Sequence, residues 1–501
     1  MVDSAHGAAV RIAMSVGTAA TGEGRLLTVT AERGNGQDEI DVQLEERRGV
    51  LHADLRVGAN VSSAQKLIAN SGISNTGVKL HGAGFIVSES QAVSLGVGTV
   101  AGLDQHILRY RNGKDLTDRP RLAWVIDLHG LAEHEVRSRF PSVYQWVLDK
   151  VKPERDANRE PYRRTHWWLF GRKNTELRMT LAGLRRYIAT VETAKHRTFQ
   201  FLDASIRPDN ALIAIGSGEA TFLGVLSSQV HVEWALAAGG RLGIGNDPRY
   251  NKTRCFETFP FPELEATLAA RIGQLAEELD AFRKARQAAH ESVTLTGMYN
   301  VLDKLRREEP LNAKDKALHE QALVGVLRTL HDDLDAAVLE AYGWQDLGPV
   351  PWSDDEARQA WTERLLERLV DLNTRRAAEE ARGTIRWLRP AFQNPTAPTA
   401  EPQSAIELVG GAPAPEADTE DEAPATAAAP ASRQPWPADL PAQMRAVADA
   451  LATSAQPLDE DALAARFTGR GPWKKRLPQI LETLEVLGKA QREAGGRWRG
   501  A

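Results

Sequence analysis

The stretch KVKPERDANREPYRRTHWWLFGRKNTELRMTLAGLRRYIATVETAKHR, Lys150 to Arg197, decides how the rest of the chain is read. It holds thirteen Lys or Arg against five acids, interleaved with Tyr162, Trp167, Trp168, Phe170 and Tyr187. Cations neutralise phosphates and release counterions, while Arg and aromatic planes meet bases and sugars, so this mixture suits nucleic acid. A solvated charged face whose tryptophans are simply core has the same composition, and composition does not decide between the two. Two further basic stretches, RYRNGKDLTDRPR at 109–121 and GGRLGIGNDPRYNKTR at 239–254, favour nucleic acid. Their glycine-punctuated loops let the backbone approach phosphate closely.

Outward from this segment, 501 residues exceed one ordinary domain. The spacing predicts strands at Ala8–Met14 and Arg25–Thr30, and a Gly- and Ser-rich connector at 51–105 with a short strand around Phe85–Val87. A basic, aromatic strand-and-helix region fills 106–262 and ends at Pro260 and Pro262, which cannot continue a ladder or a helix interior. Leu268, Ile272, Leu275, Leu279 and Phe282 then fall three or four apart, which predicts helix. Further helices are expected over 296–308, 313–342 and 354–381 within a helical domain at 263–390. From Ala391 to Pro430 there are seven prolines, seven acids and no Lys or Arg, the composition of a disordered acidic linker, placed at 391–435. The last block, 436–501, has the helix, helix, helix and Gly-rich basic order of a small winged-helix module.

Several chemistries are excluded or disfavoured by the residues. Cys255 is the single cysteine, so there is no internal disulfide and no Cys-x-x-Cys zinc pair, and a buried structural thiol in a reducing, cytoplasmic setting is expected. Arg11 interrupts the apolar run from Ala8 to Val16, which argues against a signal peptide or membrane helix. The histidines His129 and His134 are close in sequence but have no further ligand nearby, while His166, His196 and His231 read as packed or phosphate-contacting groups. Neither a Walker loop nor a Gly-x-Ser-x-Gly elbow occurs. The run ALIAIGSG, 211–218, ends in Gly-x-Gly, but a lone Gly-x-Gly is weak and an ordinary strand with a tight turn is expected.

The strings HWWLFGR, RYIATVETAKHRTFQFLD, FLGVLSSQVHVEWAL and RLGIGNDPRYNKTRCFETFPFP resemble, in order, the target-recognition region of type IIG-like restriction-modification, adenine-specific DNA methyltransferases. TGMYNVLDKLR, LDAAVLEAYGW and LVDLNTRRAAEEARGTIRWLRP continue the resemblance, and AAVRIAMSVG looks like a late strand of that family's methyltransferase sheet. It covers roughly residues 8–392. The resemblance implies an α+β multidomain chain: terminal strands of a methyltransferase α/β sheet at 1–50, the connector at 51–105, a DNA target-recognition domain at 106–262, then the helical, linker and winged-helix-like parts.

The resemblance also implies transfer of a methyl group from S-adenosylmethionine to a flipped adenine. That chemistry needs a Gly-rich cofactor turn and an Asn/Asp-Pro-Pro-aromatic loop, whose oxygens accept the adenine amino protons. The chain contains no Pro-Pro dipeptide, and Asn394-Pro395 is followed by Thr396. The expectation is therefore that this chain binds no cofactor and has no catalytic residues itself, S-adenosylmethionine and catalysis belonging to the complete enzyme through a partner N-terminal methyltransferase chain. Its own partner is double-stranded DNA. Arg163, Arg164, Arg172, Lys173, Lys195, Arg197, Arg249, Lys252 and Arg254 are expected at phosphates or base edges, with Trp167 and Trp168 as structural aromatics. Arg470, Lys474, Lys475, Arg476, Arg492, Arg497 and Arg499 are a further basic set, on either a DNA-contacting wing or a protein-docking domain. A standalone DNA-binding regulator or defence-system sensor, and an assembly scaffold, are the alternative readings.

Overall fold

The computed structural model describes residues 57–242 and 247–395 continuously. It also describes 2–3, 9–10, 14–16, 23–33 and 41–52 near the N-terminus, and 434–436, 440–452, 458–464, 466–468, 477–486, 490–492 and 497–500 toward the C-terminus. The architecture is α+β, with several small sheets and many helices, and it divides into two compact units, Met1–Ala405 and Ile406–Ala501. The linker expected at 391–435 lies largely outside the described residues.

Two four-stranded sheets stand at the centre of the region 74–215. One is antiparallel throughout, in the order Gln200–Asp203, Arg186–Val191, Leu212–Ile215, Ser74–Thr76. The other runs Arg207–Pro208, Ile107–Arg111, Trp124–Ile126, Ile86–Val87, with only its first pair parallel. The chain visits the second sheet at 207–208 between two strands of the first, so the sheets are stitched together.

Side chains alternate across a strand, and in the first sheet both faces are buried. Tyr187, Ala189, Val191, Leu212 and Ala214 enter the core that holds Trp167, Trp168 and Phe170. Ile188, Ile213, Ile215 and Phe201 face the opposite way, onto Leu223, Leu226, Tyr250 and Phe256. This explains the unbroken apolar run of ALIAIGSG: Leu212–Ile215 is a central strand covered on both sides.

The connector divides between two structures. Its second half belongs to the core beneath these sheets, with Phe85, Val87, Leu95 and Leu103 buried among the Trp167 cluster. Its first half is bolted to the helical region. Asn70 donates from Nδ2 to the Phe256 and Phe259 carbonyls (3.0 and 2.7 Å), and Asn373 donates to the Gln65 and Thr258 carbonyls (2.8 and 2.6 Å) while accepting from Gln65 N (2.9 Å). Both amides are buried, so each hydrogen bond satisfies a group that would otherwise be costly to desolvate.

Helices follow at Ala266–Ala289, Leu295–Arg306, Ala313–Ala322, Val324–Tyr342 and Asp355–Ala381. Thr294, Asn312 and Asp354 cap three of them by accepting backbone N–H bonds at 2.9–3.0 Å. The helix expected over 313–342 is broken at Leu323, whose φ of 48° is left-handed. Buried Ala322 and Val324 anchor the two halves, and the left-handed position is itself a leucine, with Gly325 two residues on inside the second helix. Where Ala266–Ala289 crosses Ala220–Ser227, a Cβ on Gly224 would lie 2.5 Å from Ile272 Cγ2, so this crossing requires glycine.

At the N-terminus, Gly24–Arg33 pairs antiparallel with Asp41–Gly49 in a two-stranded ribbon, and Val2–Asp3 pairs with Ala9–Val10. The Ala8–Met14 strand is seen only at Ala9–Val10, residues 11–13 lying outside the described set. Leu27, Val29, Val42 and Leu44 are 40–52% exposed on the ribbon. In the second unit, helices Leu440–Ala452, Glu460–Ala464 and Leu477–Val486 enclose Val447, Leu451, Leu463, Leu481 and Trp498. Its hairpin pairs Ala490–Arg492 with Trp498–Gly500. No helix among the described residues is long and apolar enough to cross a membrane.

Candidate nucleic-acid interface

The segment Lys150–Arg197 folds around its aromatics. Trp167, Trp168 and Phe170 are 4–8% exposed. Trp168 Nε1 donates to the Leu131 carbonyl (3.0 Å), and Phe170 meets Phe85 edge-on at 5.3 Å. With the rings turned inward, the cations between them are left toward the surface. The short helix Pro161–Thr165 carries Arg163, whose Nε lies 2.9 Å from Glu160, and Arg164, which donates to the Asn158 and Arg159 carbonyls (2.6 and 3.0 Å). Arg172 and Lys173 are exposed in the turn before the helix Thr175–Leu181.

A second cationic group forms where the 192–198 turn meets the segment 247–254. Tyr250 N donates to the Glu192 carbonyl (2.6 Å), Ala194 N to the Pro248 carbonyl (3.3 Å), and Arg249 pairs with the Glu192 carboxylate (2.8 Å). Lys195 Nζ donates to Asn300 Oδ1 (2.6 Å), tying this turn to the helical region, and His196 meets the same oxygen at 2.8 Å. Lys252 and Arg254 lie on a single π turn, Lys252–Phe256, the wide turn often found at functional sites, and Arg254 is exposed. The structure therefore sorts eight of the nine expected cations into two groups of four.

Arg197 differs from the other eight. It is 8% exposed, and its guanidinium donates to Thr190 Oγ1 (3.0 Å) and to the carbonyls of Val191, Glu192 (3.3 Å) and Pro248 (3.1 Å). Burial pushes its pKa down to about 10. In this place it braces the turn that presents its neighbours and is not open to a phosphate.

Two of the histidines, His231 and His166, are likewise explained by packing. His231 is fully buried against Tyr250 Oη (2.9 Å), and burial, with the charge of Arg197, lowers its pKa to about 3. His166 stacks on Tyr162 at 4.5 Å. Cys255 is buried with its Sγ 3.6 Å from the Ala235 carbonyl, and burial raises the thiol to about 11, an unreactive state. No group of three His, Cys, Asp or Glu among the described residues could hold a metal ion.

Three features of the site escaped the sequence. Asp127 is buried, and although burial opposes its charge, hydrogen bonds from Arg178 (2.8 Å) and Arg207 (3.1 Å) hold its carboxyl below the ordinary range. Arg155 is fully buried without a carboxylate hydrogen bond, donating to the Leu80 and Leu169 carbonyls (2.8 and 3.2 Å). His81 lies against Gly171, ninety positions away, with a left-handed φ of 48°. None carries a local signal, because each depends on a fold-level neighbour.

Two groups of cations on an α+β segment, followed by a helical region, point to the class: this part of the chain is similar to the target-recognition portion of a restriction-modification DNA methyltransferase. Residues 83–263 match the family described as MmeI, target recognition domain. Over 91 residues the chain is 33% identical to DNA methyltransferase A of Bacillus subtilis (strain 168), which is 18% of this chain and 10% of that protein. A solved structure, described as the type IIL restriction-modification enzyme MmeI in complex with DNA, shares the fold with a TM-score of 0.50 and 18% identity. That likeness covers 68% of this chain and 40% of the other, so the chain spans well under half of either relative.

Proposed function

We propose that this chain is the DNA-reading part of an S-adenosylmethionine-dependent adenine methyltransferase of a restriction-modification or phage-defence system. The observation that carries this reading is the recognition-domain match over 83–263, falling on the segment whose buried tryptophans leave two groups of cations toward the surface. In this reading Arg163, Arg164, Arg172, Lys173, Lys195, Arg249, Lys252 and Arg254 contact the duplex, neutralising phosphates and presenting donors to base edges. Trp167 and Trp168 fix the reading face from behind, and Arg197 keeps the 192–198 turn in shape.

Cofactor binding and catalysis are assigned to residues outside these 501, on a separate N-terminal methyltransferase chain. The Gly-x-Gly turn after Leu212–Ile215 does not fit S-adenosylmethionine. A Cβ at Gly216 would lie 2.2 Å from Thr180 Cγ2, and the Gly216 carbonyl already accepts from Arg389 (3.2 Å). The N-terminal ribbon is read as the terminal part of the methyltransferase sheet, because its exposed Leu27, Val29, Val42 and Leu44 suit burial against further strands.

The second unit is read as a winged-helix-like domain, on the order of three helices followed by a hairpin. Arg497 and Arg499 are exposed at that hairpin. Arg470, Lys474, Lys475 and Arg476 and the side chain of Arg492 lie outside the described residues.

The test is to co-express the chain with a methyltransferase chain bearing an Asn-Pro-Pro-aromatic loop and to follow tritiated methyl transfer to DNA. Transfer that requires both chains supports the proposal. Transfer by this chain alone contradicts it.

A further inference from the structure

We propose that the turn Gly171–Asn174, with His81 against its first residue and His129 beside its basic residues, is a phosphate-binding site that clamps the DNA backbone independently of base sequence. The inference rests on the DNA-reading function and assigns a separate task to one place within it. Two loops distant in sequence build the site. Gly171 N donates to the Leu80 carbonyl (3.0 Å), and Asn174 donates to the Arg172 carbonyl (2.8 Å) while its Oδ1 accepts from Lys79 N (3.4 Å). A Cβ at Gly171 would lie 2.4 Å from His81 Cδ2, so the imidazole is seated directly on the turn's backbone.

Both loops hold a left-handed residue, His81 at φ 48° and Asn174 at φ 52°. Asparagine enters this region readily; histidine does so at a cost that the surrounding contacts must offset. The result is an exposed cluster of His81, His129, Arg172 and Lys173. Beneath it lies Arg155, fully buried, with Nε and Nη1 lacking hydrogen-bond partners and its plane 5.6 Å from the Phe85 ring. A buried cation without a carboxylate partner is weakly screened and makes the surface above it positive. The acids nearby are Glu154, 3.6 Å from where a Cβ on Gly82 would stand, Glu160, which is engaged with Arg163, and the buried Asp127 behind His129, which is engaged with Arg178 and Arg207.

Burial, then the charges of Arg163, Arg155 and Arg172, keep His81 below the usual histidine range, with Glu160 opposing. Burial, Arg178, Arg207 and Lys173 do the same for His129 against Asp127. Neutral imidazoles donate one N–H each, and an arriving phosphate adds the negative charge that favours their protonation. Binding at this site therefore takes up protons, and affinity rises as pH falls.

The test uses the full chain and a fluorescently labelled duplex of arbitrary sequence, titrated by anisotropy across salt concentration at about pH 6 and about pH 8. In R172A/K173A the slope of log affinity against log salt becomes shallower by about 1.8, two contacts at ~0.9 each. In H81N/H129N, where asparagine tolerates the left-handed backbone at 81, the salt slope at about pH 8 is kept and the tightening toward about pH 6 is lost. Wild-type slope and pH dependence in both variants overturn the site while leaving DNA reading intact. A wild-type chain that binds no duplex overturns both.

Discussion

Arg197 and Lys195 are two positions apart and do opposite work. Replacing Arg197 by Ala removes one donor from each of the Val191, Glu192 and Pro248 carbonyls, the last two keeping Tyr250 N and Ala194 N, at a cost of about 2–3 kcal/mol in urea unfolding. Lys195→Ala changes stability by less than about 0.5 kcal/mol and acts on DNA affinity. Equal destabilisation by the two would contradict the assignment of Arg197 as a brace. A second residue-scale prediction concerns Asp335, buried and accepting from Gln229 N (2.7 Å), whose carboxyl is pushed up to about 7 by burial. Its folded pKa lies above the unfolded value near 3.8, so its favourable contribution is full below about pH 4 and lost as pH rises through about 7. Asp335→Asn keeps the acceptor and removes the ionisation. The variant is therefore about 2–4 kcal/mol more stable than wild type at about pH 8 and equal to it at about pH 4; a stability difference unchanged with pH would refute this.

At the scale of elements, the helical crossing and the helix break make separate predictions. Gly224→Val drives a side chain into Ile272 and costs about 1–3 kcal/mol by overpacking. Leu323→Gly relieves a left-handed leucine that is 43% exposed and stabilises by about 1 kcal/mol, which thermal unfolding measures directly. A loss of stability would show that the leucine side chain matters more than its backbone. The same elements show what the sequence discloses. Leu268, Ile272, Leu275, Leu279 and Phe282 mark the helix Ala266–Ala289 because one stripe faces the core, and Asn312 and Asp354 stand where caps are needed. The strand Asp41–Gly49 escapes because its ribbon is open to solvent, so DVQLEERRG has no buried face to impose alternation. The break at Leu323 escapes because the left-handed position is a leucine, while Gly325 lies inside the helix that follows.

For the whole molecule, the basic character of the recognition segment is readable from the order of its residues, whereas the partition of its cations is not. Arg197 is as basic in sequence as Arg172, and only the fold buries one and exposes the other. The connector is similar: Asn70 and Asn373 lie three hundred positions apart, and tertiary packing makes each of them a bolt on the same edge at 256–259. The central claim is that the surface formed within residues 83–263 reads the sequence of double-stranded DNA. The most direct measurement is selection of duplexes by the full chain from a pool with a randomised centre. One short sequence is enriched, and the enrichment is lost when Arg249 and Arg254 are both replaced by Ala; a pool recovered without any enriched sequence would show that this surface does not read base sequence.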